Sequence, residues 1–336
     1  MKRKREGGSE VFIVGSGECG QLGHGEDALE FSRPTRFLFF SGKHITHIAC
    51  GGMHTVAVSE SGKVWTWGCN DDYALGREGA EDLPIALDQG AFAEQHIVSA
   101  SAGDSHTLAL TLTVHDELYA WGCGEQHQLG FRLLPGRQER YLEPTYPLFI
   151  KKRRKCMGVR RAFAGAYHSF AQTVDGQVWA FGLNNYGQLG VGDRRHRMLP
   201  TPVVHLGEHS IEQIEAGEHH SLGLTTEGRL LVWGRSDSSQ LGLVFDDEGK
   251  KQQGLTTPCL MPSETLQDVG RISTSANHCA AITKDGSLFT WGFGEMFQLG
   301  HCVDTDEELP REVMNLGGAA LNVAAGGQHT VMLVEL

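Results

Sequence analysis

Residues 216–242, AGEHHSLGLTTEGRLLVWGRSDSSQLG, contain both halves of a unit that the chain repeats. The first half runs from Ala216-Gly217-Glu218-His219-His220-Ser221 to a turn at Glu227-Gly228. The second runs through Trp233-Gly234 to Gln240-Leu241-Gly242. Working outward, the histidine half recurs around His54, His106, His168, His278 and His329, and the Trp-Gly half recurs from Val14, Trp67, Trp121, Phe181 and Trp291. Each half has six copies, and the two sets are out of phase: the chain opens with a second half, Val14 to Gly23, and closes on a first half, Gly326 to Thr330. Self-similarity at a fixed period decides the architecture before any single element does.

Between the halves lie short alternating runs such as Lys63-Val64-Trp65-Thr66-Trp67, joined by Ser61-Gly62, Asp175-Gly176 or Asp285-Gly286. β-Branched and aromatic residues flanking a glycine turn predict antiparallel hairpins, because glycine takes positive φ at low cost. Each unit is then a four-stranded antiparallel sheet, and radial repetition predicts an all-β propeller of six units. The orphan halves predict that strands from both ends of the chain complete one sheet, closing the ring and leaving no open edge. Four units place the aromatic thirteen residues after the histidine, but His106 to Trp121 spans fifteen and lacks the turn glycine, so Thr111 to Leu118 reads as a seam.

The 44 glycines and 40% hydrophobic content fit many tight turns around a core rather than disorder. The repeats predict one closed unit over residues 11–336 behind a basic flexible tail at 1–10. No apolar run approaches a membrane span, and nothing resembles a signal-peptide core, so a soluble, non-secreted protein is expected. The eight cysteines are scattered without a Cys-x-x-Cys pair, which argues against zinc or a disulfide scaffold. A net charge of −12 excludes general coating of nucleic acid, but Lys2-Arg3-Lys4-Arg5 and Lys151 to Lys155 are local basic runs.

Several motifs tempt and fail. Val11 to Gly20 matches a strand plus Gly-x-Gly-x-x-Gly, yet a dinucleotide site needs a helix next, and Gln21-Leu22-Gly23-His24-Gly25 is too glycine-rich to supply one. The six repeat histidines fall on a circle about the axis and cannot converge on one metal, so each is expected to bond the backbone of its own sheet, with some also facing the rim. No nucleophile elbow, His-Glu-x-x-His or phosphate-binding loop is present. Covalent catalysis, a metal and a cofactor are all unexpected. The longest insertion, Phe131 to Met157, reads as a basic loop without secondary structure.

The His-Ser/Thr, Asp-Gly-x-Val-Trp, Trp-Gly and Gln-Leu-Gly motifs resemble the regulator of chromosome condensation repeat over nearly the whole chain. Gly51 to Val56, Gly68 to Arg77, Ala102 to Thr107, Gly122 to Gln126 and Gly326 to Val331 resemble the family's founding branch, the chromatin-bound guanine-nucleotide exchange factors for the small GTPase Ran. That resemblance implies a monomeric, non-membrane nuclear protein. One propeller face would grip the GTPase through Glu18, His54, Asp104, Asn185, His220 and His329. Arg137 and Arg140, with Lys2, Arg3, Lys4 and Arg5, would meet histones and DNA, and the basic tail would be read by an import receptor. The family has seven blades against six units here, and the missing stretch would include a hairpin that wedges into the GTPase. A propeller scaffold that binds nucleosomes or proteins without exchange is therefore the alternative.

Overall fold

The computed structural model describes residues 10–335 except 26, 89–94, 112–117, 131–139, 142–146, 149, 153–154, 244–253, 263, 265 and 275. Six antiparallel sheets stand around one axis. From the axis outward, blade I is Ile45–Cys50, His54–Ser59, Val64–Gly68 and Ile85–Ala86. Blade II is Ile97–Ala102, His106–Thr111, Leu118–Cys123 and Arg140–Tyr141. Blade III is Val159–Ala164, His168–Thr173, Val178–Gly182 and Arg197–Pro202. Blade IV is Ile211–Ala216, His220–Thr225, Leu230–Gly234 and Leu255–Leu260. Blade V is Val269–Thr274, His278–Thr283, Leu288–Gly292 and Glu307–Glu312.

Blade VI is shared between the two ends of the chain. Ala319–Ala325 and His329–Glu335 supply its inner half, Glu10–Ser16 and Glu30–Arg36 its outer half. Val14 lies opposite Thr330 and Gly15 opposite His329 in an antiparallel pairing. The ring therefore closes with six blades, as the orphan halves predict, against the seven that the family pattern implies.

The core is divided into six wedges, each filled from two neighbouring blades. Trp67 packs with Ile13 and Leu22 of blade VI, Trp121 with Val56 and Val58 of blade I, and Trp233 with Phe170 and Leu189 of blade III. Phe181 and Trp291 hold the same position in their wedges, and the smaller Val14 holds it between blades V and VI. The aromatic of each Trp-Gly thus leans back on the preceding sheet, and truncating one to alanine costs about 3–5 kcal/mol. The glycine that follows is forced: Gly15 has φ +119°, and a Cβ there would collide with the backbone of His329.

The histidines differ from the expectation that each bonds its own blade. Every Nε2 reaches a hydroxyl of the next blade: His54 to Thr107 (3.0 Å), His106 to Ser169 (3.0 Å), His168 to Ser221 (2.9 Å), His220 to Thr274 (2.7 Å), His278 to Thr330 (3.1 Å) and His329 to Thr55 (3.1 Å). The receiving residue follows the next blade's own histidine, except at Cys279, where Thr274 substitutes. Thr107, Ser169, Ser221 and Thr330 in turn donate to the carbonyls of Ala74, Gln128, Gln188 and Gln298. A hydroxyl already donating can only accept from the ring, so Nε2 carries the proton. Bonds thus run from histidine to hydroxyl to the Gln-Leu-Gly turn, or to its Ala74-Leu75-Gly76 counterpart, and they lock the circle. Its logic is cross-blade because a histidine at the head of a second strand points along the ring toward its neighbour.

The described residues of the insertion at Phe131 to Met157 form short strands where the sequence reads as a loop. Arg140–Tyr141 and Pro147–Leu148 pair with Leu118–Cys123, and Ile150–Lys152 pairs with Lys155–Met157. Once Cys123 and Gly122 present a free edge, the insertion covers it by β-pairing.

Candidate functional site: an acidic face of the ring

Antiparallel order puts two loops of every blade on one face: the short turn before each repeat histidine and the longer connection between third and outer strands. Backbone bonds tie them, as Cys69 N to Met53 O (2.8 Å), Cys123 N to Ser105 O (2.8 Å), Leu183 N to Tyr167 O (2.9 Å), Arg235 N to His219 O (2.8 Å), Phe293 N to Asn277 O (2.9 Å) and Ser16 N to Gln328 O (3.0 Å). Within the longer loop the glutamine or asparagine side chain folds the turn by accepting a nearby amide, as Gln188 Oε1 does from Tyr186 N at 2.9 Å.

Around the outer circle of this face, equivalent turn positions carry Glu18, Asp71, Glu125, Asn185, Asp237 and Glu295, all exposed. Five of the six are acidic. Nearer the axis stand Asp104 and Glu218, two residues before His106 and His220. Burial, then the charge of Glu218, pushes the Asp104 carboxyl above its usual range, while the Tyr167 hydroxyl donating to it works the other way. Burial and those two carboxylates push Tyr167 up to about 12. Gly52 makes room for Asp104, since a Cβ at Gly52 would overlap its carboxylate.

Blades III to V add an aromatic cluster to the rim. Arg235 sits over the Tyr186 ring at 5.0 Å and pairs with Asp237 at 2.6 Å. Tyr186 and Tyr167 flank His219 at 4.8 and 5.9 Å between centroids. Glu218 contacts His219 at 3.4 Å and accepts from Asn277 Nδ2 at 3.3 Å. Burial, reinforced by Arg235, lowers His219 to about 4, so it is neutral near pH 7. Met53, Tyr73 and Met296 are exposed on the same face and offer apolar anchors among the charges.

Among the residues singled out from sequence, Glu18, Asp104 and Asn185 lie on this face, Asn185 Oδ1 accepting from His196 Nε2 at 2.7 Å. His54, His220 and His329 are at most 1% exposed and hold the turns beneath it. Arg140 lies in the outer strand of blade II. Lys2, Arg3, Lys4, Arg5 and Arg137 lie outside the described residues. Glu218, Tyr186 and Arg235 were missed, because their contacts join side chains of different blades. No group of three metal-ligating side chains occurs among the described residues.

The profile of the RCC1-like domain matches residues 110–332, and the regulator of chromosome condensation (RCC1) repeat matches 9–58 and 61–110. The chain belongs to the regulator of chromosome condensation family. The human Regulator of chromosome condensation is 33% identical, over 97% of this chain and 90% of its own length. The Ultraviolet-B receptor UVR8 of Arabidopsis thaliana is also 33% identical, over 98% of this chain and 71% of its own. Yeast RCC1 (Prp20), solved bound to Kap60, superposes with a TM-score of 0.77 at 25% identity, covering 98% of this chain and 90% of that one. The family thus joins a regulator of chromosome condensation and an ultraviolet-B receptor on one scaffold. The human alignment runs over 394 positions against 336 residues here, so that relative carries stretches with no counterpart in this chain.

Proposed function

We propose that this family member is a guanine-nucleotide exchange factor for the small GTPase Ran, acting without covalent chemistry from the acidic face of the ring. The observation that carries the reading is the charge pattern: five acidic residues at equivalent outer positions, with Asp104 and Glu218 inside them, on one face. Such a face steers a basic partner surface into register and speeds encounter. Asp104, Glu18 and Asn185 touch the GTPase, while His54, His220 and His329 act through the turns they hold. Exchange requires tighter binding of the nucleotide-free GTPase than of the GDP form, because equal affinity for both shifts nothing.

The same reading puts the protein in the nucleus on chromatin. Lys2 to Arg5 contact DNA phosphates and an import receptor, and Arg137 and Arg140 contact histones. A pull-down comparing GDP-loaded with nucleotide-stripped Ran tests the reading: preferential capture of stripped Ran supports it, and equal or absent capture opposes it.

A second reading is a binding scaffold without exchange. The six-blade ring favours it, since the family pattern places a GTPase-wedging hairpin in the stretch that Thr111 to Leu118 replaces. Nucleosome capture with no preference for stripped Ran would select this alternative.

A further inference from the structure

The six inner strands enclose an axial cavity of about 250 Å³. Each inner strand has a register shift near its start, and the residue after it falls in one layer: His47, Ser99, Arg161, Gln213, Arg271 and Asn322. Two of the six are spoken for by the neighbouring blade. His47 Nε2 is 2.7 Å from the Ala100 carbonyl, and Gln213 bridges to Ile272 O (2.6 Å) and accepts from Ile272 N (3.2 Å). Arg161 and Arg271 have neither a hydrogen bond nor an ion pair among the described residues.

Closure of the ring does not demand cations there, because Ser99 and Asn322 occupy the same layer uncharged. Burial, then the charges of Arg160 and, after the opposing pull of Glu212, Arg271, depresses the Arg161 guanidinium. Two like charges sharing a partly desolvated channel are unfavourable unless a counter-charge joins them. The internal carboxyl lining the cavity is already engaged: Glu215 Oε1 accepts from Gln213 at 2.7 Å, and burial, against the opposing pulls of Gln213 and Arg271, pushes it up to about 8. Glu212 is exposed at the channel mouth.

We propose that the axial cavity binds a small phosphate-type dianion between Arg161 and Arg271, with Ser99 and Asn322 as further donors. Two guanidinium forks present planar pairs of N–H groups that match phosphate oxygens. The cavity volume restricts the ligand to a free small anion, since a nucleic-acid backbone would have to run through it. This site is independent of the GTPase face and is measured without Ran.

The test is calorimetric and thermal titration of the intact 336-residue chain with inorganic phosphate and pyrophosphate, against sodium chloride at matched ionic strength. Saturable binding is expected, with a rise in melting temperature, and a loss of affinity of tenfold or more in Arg271→Gln and in Arg161→Gln. Arg271 is exposed to the channel, so its replacement removes no core packing and remains informative if Arg161→Gln misfolds. Absence of a saturable response to either phosphate probe in the wild type, or unchanged affinity in Arg271→Gln, would overturn the proposal.

Discussion

His329 Nε2 lies 3.1 Å from Thr55 Oγ1, across 274 residues of sequence, and joins the final strand to the first complete blade. The same seam carries Gly327 N to Gly52 O at 3.0 Å. Closure is therefore held by side chains as well as by the shared sheet of blade VI. His329→Ala should destabilise the protein by about 1–3 kcal/mol, and Thr55→Val by a similar amount, because each strands a buried polar partner. The double variant should cost less than the sum of the two. Urea unfolding monitored by tryptophan fluorescence measures all three; additive losses would show that the two residues do not act as a pair.

Acid should open the ring earlier than its acidic composition implies. Burial lowers His54 and His278 to about 4 and His106, His220 and His329 to about 3, with His168 well below its usual range. Their folded values are below the unfolded one near 6.5, so their stabilisation is complete above that pH and is lost as pH falls toward 4. Each contributes a slope of about 1.4 kcal/mol per pH unit in that window. Glu215, raised to about 8, offsets about one proton between pH 8 and its unfolded value. The urea midpoint should drop steeply between pH 6.5 and 5, and a flat midpoint would refute the neutral-histidine circle.

The thiols should sort by burial. Cys50 and Cys279 are buried and pushed up to about 12, and Cys123 is buried as well. Cys19, Cys259 and Cys302 are exposed. Thiolate is the reactive form, so iodoacetamide at pH 8 should modify the exposed three first. Mass mapping that finds Cys279 labelled early would show that the contact it shares with His220 and Gln240 opens in solution.

Neutralising the inner acids should weaken partner binding without unfolding the ring. Asp104→Asn and Glu218→Gln remove charge at nearly constant shape, and each should slow association with Ran about tenfold at low salt. Burial holds the Asp104 carboxyl above its usual range, so the fold carries its charge at a cost and an amide of the same shape relieves it. Gly52→Ala should reproduce the Asp104→Asn defect by displacing that carboxylate. Association rates read by surface plasmon resonance, beside melting curves, separate a binding defect from a folding one.

The ring was legible because its signals are local and repeated. Trp-Gly, the glycine turns and the orphan halves fixed the blades and their closure. The direction of the histidine bonds was not legible: His54 and Thr107 are 53 residues apart, and only the wedge between blades brings them together. The outer strand at Arg140–Tyr141 was missed because two paired residues leave no alternating pattern. Asp104 was singled out, but its neighbours Tyr167 and Glu218 belong to other blades, and their coupling exists only on the assembled face. The layer of Arg161 and Arg271 was equally hidden, since the bulge that sets its register lies outside the repeat motifs.

The central claim is most directly tested by release of fluorescent GDP from Ran, mixed with catalytic amounts of this protein in excess GTP. The account predicts acceleration well above the intrinsic rate, reduced in Asp104→Asn and preserved in Arg271→Gln. A rate equal to the intrinsic one, from protein shown to be folded and monomeric, would contradict it.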